Sequence, residues 1–245
     1  MNPRQIHALI LSVIFLWATC TFAESVHFHR SYVELNWGQV HVLTATPKSA
    51  SGTAKPAVVC FAPTPYSGNY YRHLMRTLAQ DRMMLAPDYP GLGQSDPPIA
   101  ELNVAGYADV MAEVLRSSGW GTDDAGPIDV CGYHTGTFVA TELALRHPKL
   151  VRRIILIGIP FYEGADRSER RLQDGVVKPL PESLDALGQD WNFNVRDRAN
   201  GVTLERGLDN FLESVAAWRE QADLYRAVFE YPGERRAPLL EHPTL

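Results

Sequence analysis

The sequence predicts an α/β fold: a doubly wound, mostly parallel sheet with helices on both faces and a helical insertion near the C-terminal end. Three observations predict it. Short continuous apolar runs alternate with amphipathic helical patterns, as expected of strands covered on both faces and joined by crossover helices. The links between them are short and rich in Pro, Gly and Asp. One stretch, residues 127–145, reads as a buried strand passing through a tight turn, Gly132-Tyr133-His134-Thr135-Gly136, directly into a helix.

Residues 1–23 are set apart from this domain. Arg4 supplies a positive start, residues 8–18 are almost wholly apolar, and Thr21-Phe22-Ala23 is a small-x-small cleavage site. That is the pattern of a secretory signal peptide cleaved after Ala23, which predicts an exported protein and a mature domain over 24–245. Left uncleaved, the same segment would be an N-terminal membrane anchor. No later stretch approaches the length of a spanning helix. Cleavage would remove Cys20 and leave Cys60 and Cys131, both inside apolar strand-like runs, where they read as buried thiols rather than a disulfide.

The elements follow in order. Residues 27–35 and 40–46 read as two strands joined by Asn36-Trp37-Gly38-Gln39, a link that suits a hairpin. His27, His29 and His41 have no carboxylate or cysteine at ligand spacing, so no metal is expected and they read as polar faces of edge strands. Residues 47–56 form a polar loop. Residues 57–61 are a continuous apolar strand, broken by Ala62-Pro63-Thr64-Pro65. Tyr71, Leu74, Met75 and Leu78 lie at helical spacing within 70–80. Residues 83–86 form another buried strand, ended by Pro87-Asp88-Tyr89-Pro90-Gly91-Leu92-Gly93-Gln94-Ser95-Asp96. An amphipathic helix over 104–117 leads to the strand at 128–133, the helix from Thr137 to about His147, and a strand over 151–159.

Beyond Pro160 the texture changes. Residues 161–200 are charged and proline-rich without a clear strand, and the charge run 166–171 reads as a solvated face. Leu204, Leu208, Phe211, Leu212, Val215 and Trp218 make one apolar stripe on a helix that is expected to pack on its own domain. Tyr225, Val228, Phe229 and Tyr231 continue the pattern, and residues 237–245 resemble the approach to another strand.

Composition narrows the function. A chain of 245 residues, 45% hydrophobic and 21% charged, can bury one large core. A net charge of −5, with no basic stripe interleaved with aromatics, argues against a nucleic-acid partner.

Three motifs carry a family resemblance. The turn 132–136 is the G-x-S-x-G nucleophile elbow with His134 where serine belongs; residues 87–96 are close to a D-x-P-G-x-G-x-S-D segment; and 62–65 stand where H-G-x-P would be. In this order and context the chain resembles the α/β-hydrolase fold superfamily, in the branch of epoxide hydrolases, haloalkane dehalogenases and carboxylesterases. The resemblance covers about 26–160 well and, more loosely, 161–236 as a lid-like insertion. It implies hydrolysis of a small ester-like or apolar substrate without a cofactor, with the backbone N–H groups of Thr64 and Thr135 as oxyanion donors. Three departures accompany it. Ala62 and Pro63 replace His-Gly. His134 cannot form the ester intermediate of a serine or an aspartate, although imidazole can attack activated acyl groups. The family's acid and histidine follow the seventh and eighth strands, and this sequence stops about where the seventh would begin, so neither is assigned and His242 is not promoted to the role. The implied alternatives are a hydrolase with an atypical or impaired site and a non-catalytic member that binds an apolar ligand or a partner under its lid.

Overall fold

The computed structural model describes residues 26–48, 55–121, 126–161 and 164–245; the expected signal segment lies outside these. A hairpin begins the sheet: β1 (Val26–Leu35) pairs antiparallel with β2 (Gly38–Pro47) through ten residue pairs, from Val26 opposite Pro47 to Leu35 opposite Gly38. Then come β3 (Val58–Phe61), α1 (Arg72–Leu78), β4 (Met84–Pro87), α2 (Val104–Ser117), β5 (Ile128–Tyr133), α3 (Gly136–Arg146) and β6 (Val151–Ile157). The strand order is β1-β2-β4-β3-β5-β6, with β3 parallel to both β4 and β5, and β5 parallel to β6. This is the doubly wound, mostly parallel sheet that the alternation predicts.

Strand pleating divides the core into two layers. Val59 and Phe61 join Val130, Met111, Leu115, Val139 and Leu143 on the face covered by α2 and α3. Val58 and Cys60 point the other way, with Leu43, Tyr71, Met75 and Cys131. Cys60 and Cys131 are opposite one another in register, buried and free. Burial pushes apolar residues onto both faces of β3 and β4, so these strands carry no polar/apolar alternation to read. The start of α2 is held by Asn103, whose side chain accepts the Gly106 N–H at 2.8 Å.

The last residues add a further parallel pairing. Ile154 N–H donates to Pro243 O, Leu245 N–H to Ile154 O and Leu156 N–H to Leu245 O, at 2.9–3.0 Å, so 243–245 runs beside β6 as a strand would.

Residues 164–236 form a helical layer over the C-terminal edge of the sheet, with α4 (Gly164–Asp174), α5 (Leu204–Ala216) and α6 (Gln221–Glu230) as its longest pieces. One expectation fails here. On α5, Leu204, Leu208 and Leu212 are exposed rather than packed on the domain. The helix is instead rotated by polar contacts: Glu213 accepts Ser67 N–H at 2.8 Å and Asn69 Nδ2–H at 3.0 Å, and Arg206 donates to Tyr70 O at 2.9 Å. Gly207, Ser214 and Trp218 are thereby buried. On α1, Leu74 and Leu78 are likewise exposed, because one turn of 3-10 helix (Gly68–Tyr71) precedes it and turns Tyr71 and Met75 inward.

Candidate active site

The turn at the end of β5 has the geometry its glycines imply. His134, at its apex, has φ of 49°, the one non-glycine residue with positive φ among the described residues. A Cβ on Gly132 would lie 2.5 Å from Gly136 O, and one on Gly136 would lie 2.2 Å from Phe61 O. Both positions therefore exclude any side chain. The turn closes through Thr137 N–H to His134 O at 3.0 Å, Phe138 N–H to Thr135 O at 3.2 Å, and His134 N–H to Ile157 O on β6 at 2.9 Å. None of these bonds uses the Thr135 N–H.

The imidazole of His134 is half-buried at the head of an aromatic row. Its ring lies 6.4 Å from Tyr133, Tyr133 stacks on Tyr70 at 5.9 Å, and Tyr70 stacks on Tyr66 at 5.2 Å. Arg206 of α5 sits over Tyr70 at 4.9 Å. Burial, and secondarily the positive charge of Arg170 on α4, hold His134 below the ordinary imidazole range. Among the described residues no carboxylate is hydrogen-bonded to its ring. The site thus presents a neutral imidazole with no acid to orient it.

Thr64 and Thr135 lie side by side, as the resemblance implies, but they are bonded to each other. Thr64 N–H donates to Thr135 Oγ1 at 2.7 Å, and the two hydroxyls are 3.1 Å apart. In this arrangement the Thr64 N–H is engaged by the hydroxyl of Thr135. The helical layer fixes the same loop: Tyr225 O–H donates to Thr64 O at 3.0 Å, and Tyr66 O–H to Asn194 Oδ1 at 2.7 Å. These partners were not legible in the sequence, since no motif marks a tyrosine whose partner lies more than a hundred residues away.

The Asp88 motif proves to be a brace. Asp88 is fully buried, accepts Gly68 N–H at 2.7 Å and Gln94 N–H at 2.9 Å, and shares a 2.9 Å hydrogen bond with His41 Nδ1. It ties the loop after β3 to the loop after β4. Gly93, at φ of 59°, is required because a Cβ there would fall 2.2 Å from Asp88 Oδ2. His41 corrects the sequence reading: it is buried against Asp88, whereas His27 and His29 are exposed on β1. A histidine on a strand covered at one end by a loop cannot be told from a solvent-facing one by alternation alone. His242, at the far edge, contacts Pro148 O at 3.1 Å. Among the described residues no cluster of three or more His, Cys, Asp or Glu side chains could hold a metal ion.

Comparison with known proteins agrees with this architecture. The α/β hydrolase fold family matches residues 56–175. The chain is 29% identical over 178 residues to a 2-hydroxymuconate semialdehyde hydrolase of Pseudomonas sp. (strain CF600), covering 67% of this chain and 54% of that protein. It is 33% identical over 180 residues to a pyrrolizixenacetamide deacetylase of Xenorhabdus hominickii, covering 71% of this chain and 64% of that one. The chain thus spans about half the length of the first of these relatives and under two thirds of the second. Among solved structures, Cfl2 from Burkholderia cenocepacia superposes with a TM-score of 0.66 at 23% identity, covering 89% of this chain and 78% of that one. The epoxide hydrolase CorEH gives 0.66 at 17% identity, covering 89% and 80%. The chain belongs to the α/β-hydrolase fold superfamily.

Proposed function

We propose that this protein is an exported hydrolase-family enzyme in which His134 replaces the usual elbow nucleophile and acts on a small, activated ester-like substrate held under the lid. The observation that carries the proposal is the apical imidazole at φ of 49°, half-buried and held neutral, so that one ring nitrogen keeps its lone pair. That lone pair attacks the acyl carbon and forms a C–N bond. The carbonyl oxygen takes the negative charge beside the Thr135 N–H. Collapse of the adduct breaks the C–O bond to the leaving group, and the other ring nitrogen gives up its proton as the leaving group departs. Water then attacks the acyl-imidazole, releases the acid and restores His134. With no carboxylate to orient the ring, turnover is slow and confined to good leaving groups such as phenolates and enolates.

Thr64 takes part in this reading only if the Thr135 hydroxyl rotates away, because its N–H is otherwise engaged. That bond supports a second reading, a non-catalytic member that binds an apolar molecule under the lid. Short-chain nitrophenyl esters and simple epoxides, assayed with wild type, His134→Ala and His134→Ser, separate the two. Slow ester turnover that disappears in His134→Ala, with an acyl adduct on His134 by mass spectrometry, supports the enzyme. Equal background rates in wild type and His134→Ala leave the binder. His134→Ser is expected to fold and to remain inactive, since among the described residues no acid–histidine pair serves the new hydroxyl. Export is tested separately: the mature chain is expected to begin at Glu24, and an intact Met1 on soluble cytoplasmic protein would remove that part of the proposal.

A further inference from the structure

Two nucleophilic side chains lie just below the elbow and take no part in its chemistry. Cys60 on β3 and Cys131 on β5 are register partners across parallel strands, so their side chains leave the sheet side by side, on the face that α1 covers. Neighbouring strands run about 4.8 Å apart, inside the window of about 4.4–6.8 Å between α-carbons that a disulfide spans. A bridge here closes without a change of register. It draws the two Cβ atoms together by up to about 1 Å, since a disulfide holds them about 3.5–4.5 Å apart.

The two thiols are not equivalent. Cys60 is wholly buried, whereas Cys131 is 4% exposed and lies toward the open side of this face. Its register partner on β6, Ile155, is half-buried, and in the next pair along Tyr133 is half-buried and Ile157 exposed. Hydrogen bonding by the adjacent Cys60 thiol holds Cys131 below the ordinary thiol range, against the opposing effect of burial. The same contact, together with burial, pushes Cys60 well above it. One sulfur is thus favoured as the thiolate on the solvent side, and the other is a protonated thiol directly behind it. An attacking cysteine beside a resolving one has this arrangement.

The geometry points to Cys60 and Cys131 as a modification site for small hydroperoxides, a pair that closes to a disulfide beneath the elbow and passes its oxidation state to His134. The Cys131 thiolate attacks one peroxide oxygen, the O–O bond breaks, and the departing hydroxide takes the proton that Cys131 gave up. Cys131 is left as a sulfenic acid. The Cys60 sulfur then attacks that sulfur, the S–O bond breaks, and the hydroxide leaves as water with the Cys60 proton. Two thiols are oxidised by two electrons in all, and one hydrogen peroxide becomes two waters. A bulky disulfide such as oxidised glutathione does not reach a sulfur this enclosed, which is why the oxidant is small. Closure pulls on Phe61 and Gly132, the next residue of each strand. Neither has slack, since a Cβ on Gly136 would lie 2.2 Å from Phe61 O and one on Gly132 would lie 2.5 Å from Gly136 O. The modification does not depend on turnover at His134.

The test uses the full chain carrying Cys20→Ser, so that these two thiols are the ones that remain. Reduced protein is treated with hydrogen peroxide, quenched with catalase, unfolded, alkylated and mapped by mass spectrometry. The expected result is the loss of two hydrogens, a linked pair of peptides containing Cys60 and Cys131, and reversal by dithiothreitol. In Cys60→Ala, dimedone is expected to trap the sulfenic acid on Cys131; in Cys131→Ala, trapping at Cys60 is expected to be about tenfold slower, because its thiol is the one pushed up. With ¹⁵N-labelled histidine, the ring resonances of His134 are expected to move on oxidation and to return on reduction. Two thiols that both remain alkylatable after peroxide, a Cys131 that stops at sulfinic acid beside an intact Cys60, or bridges between chains instead of within one would each overturn the proposal. A disulfide that forms while the His134 resonances stay in place would overturn its transmission to the elbow.

Discussion

Replacing Gly136 by valine probes the elbow independently of its chemistry. A Cβ at this position would stand 2.2 Å from Phe61 O, 2.8 Å from Phe61 C and 2.9 Å from Ala62 O. All three are backbone atoms at the end of β3, so no side chain can swing aside to make room. Relief requires the end of β3 or the start of α3 to move by roughly 1 Å to regain van der Waals contact. Neither is loose. Phe61 is registered against Gly132 on β5, and its carbonyl accepts the buried Tyr71 O–H at 2.9 Å. Overpacking at such a site costs about 1–3 kcal/mol, and loss of the Tyr71 bond adds about 1 kcal/mol. The expected destabilisation is therefore about 2–4 kcal/mol. For a chain of this size that lowers Tm by roughly 5–15 °C.

Urea and thermal unfolding of Gly136→Val beside Gly188→Ala measure this. Gly188 has helical dihedrals and nothing within 4 Å of its built Cβ, so its substitution should be neutral or stabilising by up to about 1 kcal/mol. A Gly136→Val protein within about 0.5 kcal/mol of wild type, the usual size of a surface effect, would refute the steric reasoning. A Gly188→Ala protein damaged as badly would show general fragility instead of a local clash.

Other substitutions report on the helical layer and on the histidine. Glu142, almost fully buried on α3, pairs with Arg236 and accepts Tyr231 O–H at 2.9 Å. Arg236→Ala leaves that carboxylate with the tyrosine alone and is expected to cost about 3 kcal/mol in chemical denaturation, at the low end for a broken buried pair because the arginine is partly solvated; a loss near zero would mean that water replaces it. The depressed pKa of His134 means that, as pH falls below about 6.5, the unfolded chain takes up a proton before the folded one does. Its contribution is thus fully present above about pH 6.5 and is lost as pH falls through the folded value. His134→Gln should accordingly lose less stability than wild type between pH 7 and 5, and parallel curves for the two proteins would contradict the depressed pKa. Glu213→Ala removes the acceptor of three hydrogen bonds from Ser67 and Asn69 and should raise hydrogen exchange selectively in α5, whereas unchanged exchange there would show that apolar contacts alone hold the helix.

Most of the sheet was legible because its signals are local. The runs at 58–61, 84–87 and 128–133 are short, apolar and bounded by breakers, and α2 falls on Val104–Ser117 as its periodicity predicts. The rotation of α5 was not legible. Periodicity names the apolar stripe of a helix but cannot weigh it against hydrogen bonds to residues more than a hundred positions away. Here Glu213 and Arg206 reach Ser67, Asn69 and Tyr70, and Leu204, Leu208 and Leu212 are left in solvent. His41 illustrates the same limit, since what buries it is a loop anchored by Asp88.

At the elbow the limit is finer still. Gly132 and Gly136 announce the turn, and His134 announces the missing hydroxyl, because each acts through its own backbone or its own chemistry. Whether an oxyanion finds two donors depends on where one side chain points. Thr135 was counted for its backbone N–H, but its Oγ1 reaches 2.7 Å to the Thr64 N–H and engages the other donor. A serine-type site needs that N–H turned toward substrate before reaction, since preorganised donors stabilise developing charge without having to reorient. Here the Thr64 N–H is already engaged, no carboxylate among the described residues is hydrogen-bonded to the imidazole, and the Tyr225 and Tyr66 hydrogen bonds brace the loop in that arrangement. Restoring serine at 134 would therefore leave the Thr135–Thr64 bond in place, so stabilising an oxyanion with both N–H groups requires a change at Thr135 as well as the hydroxyl.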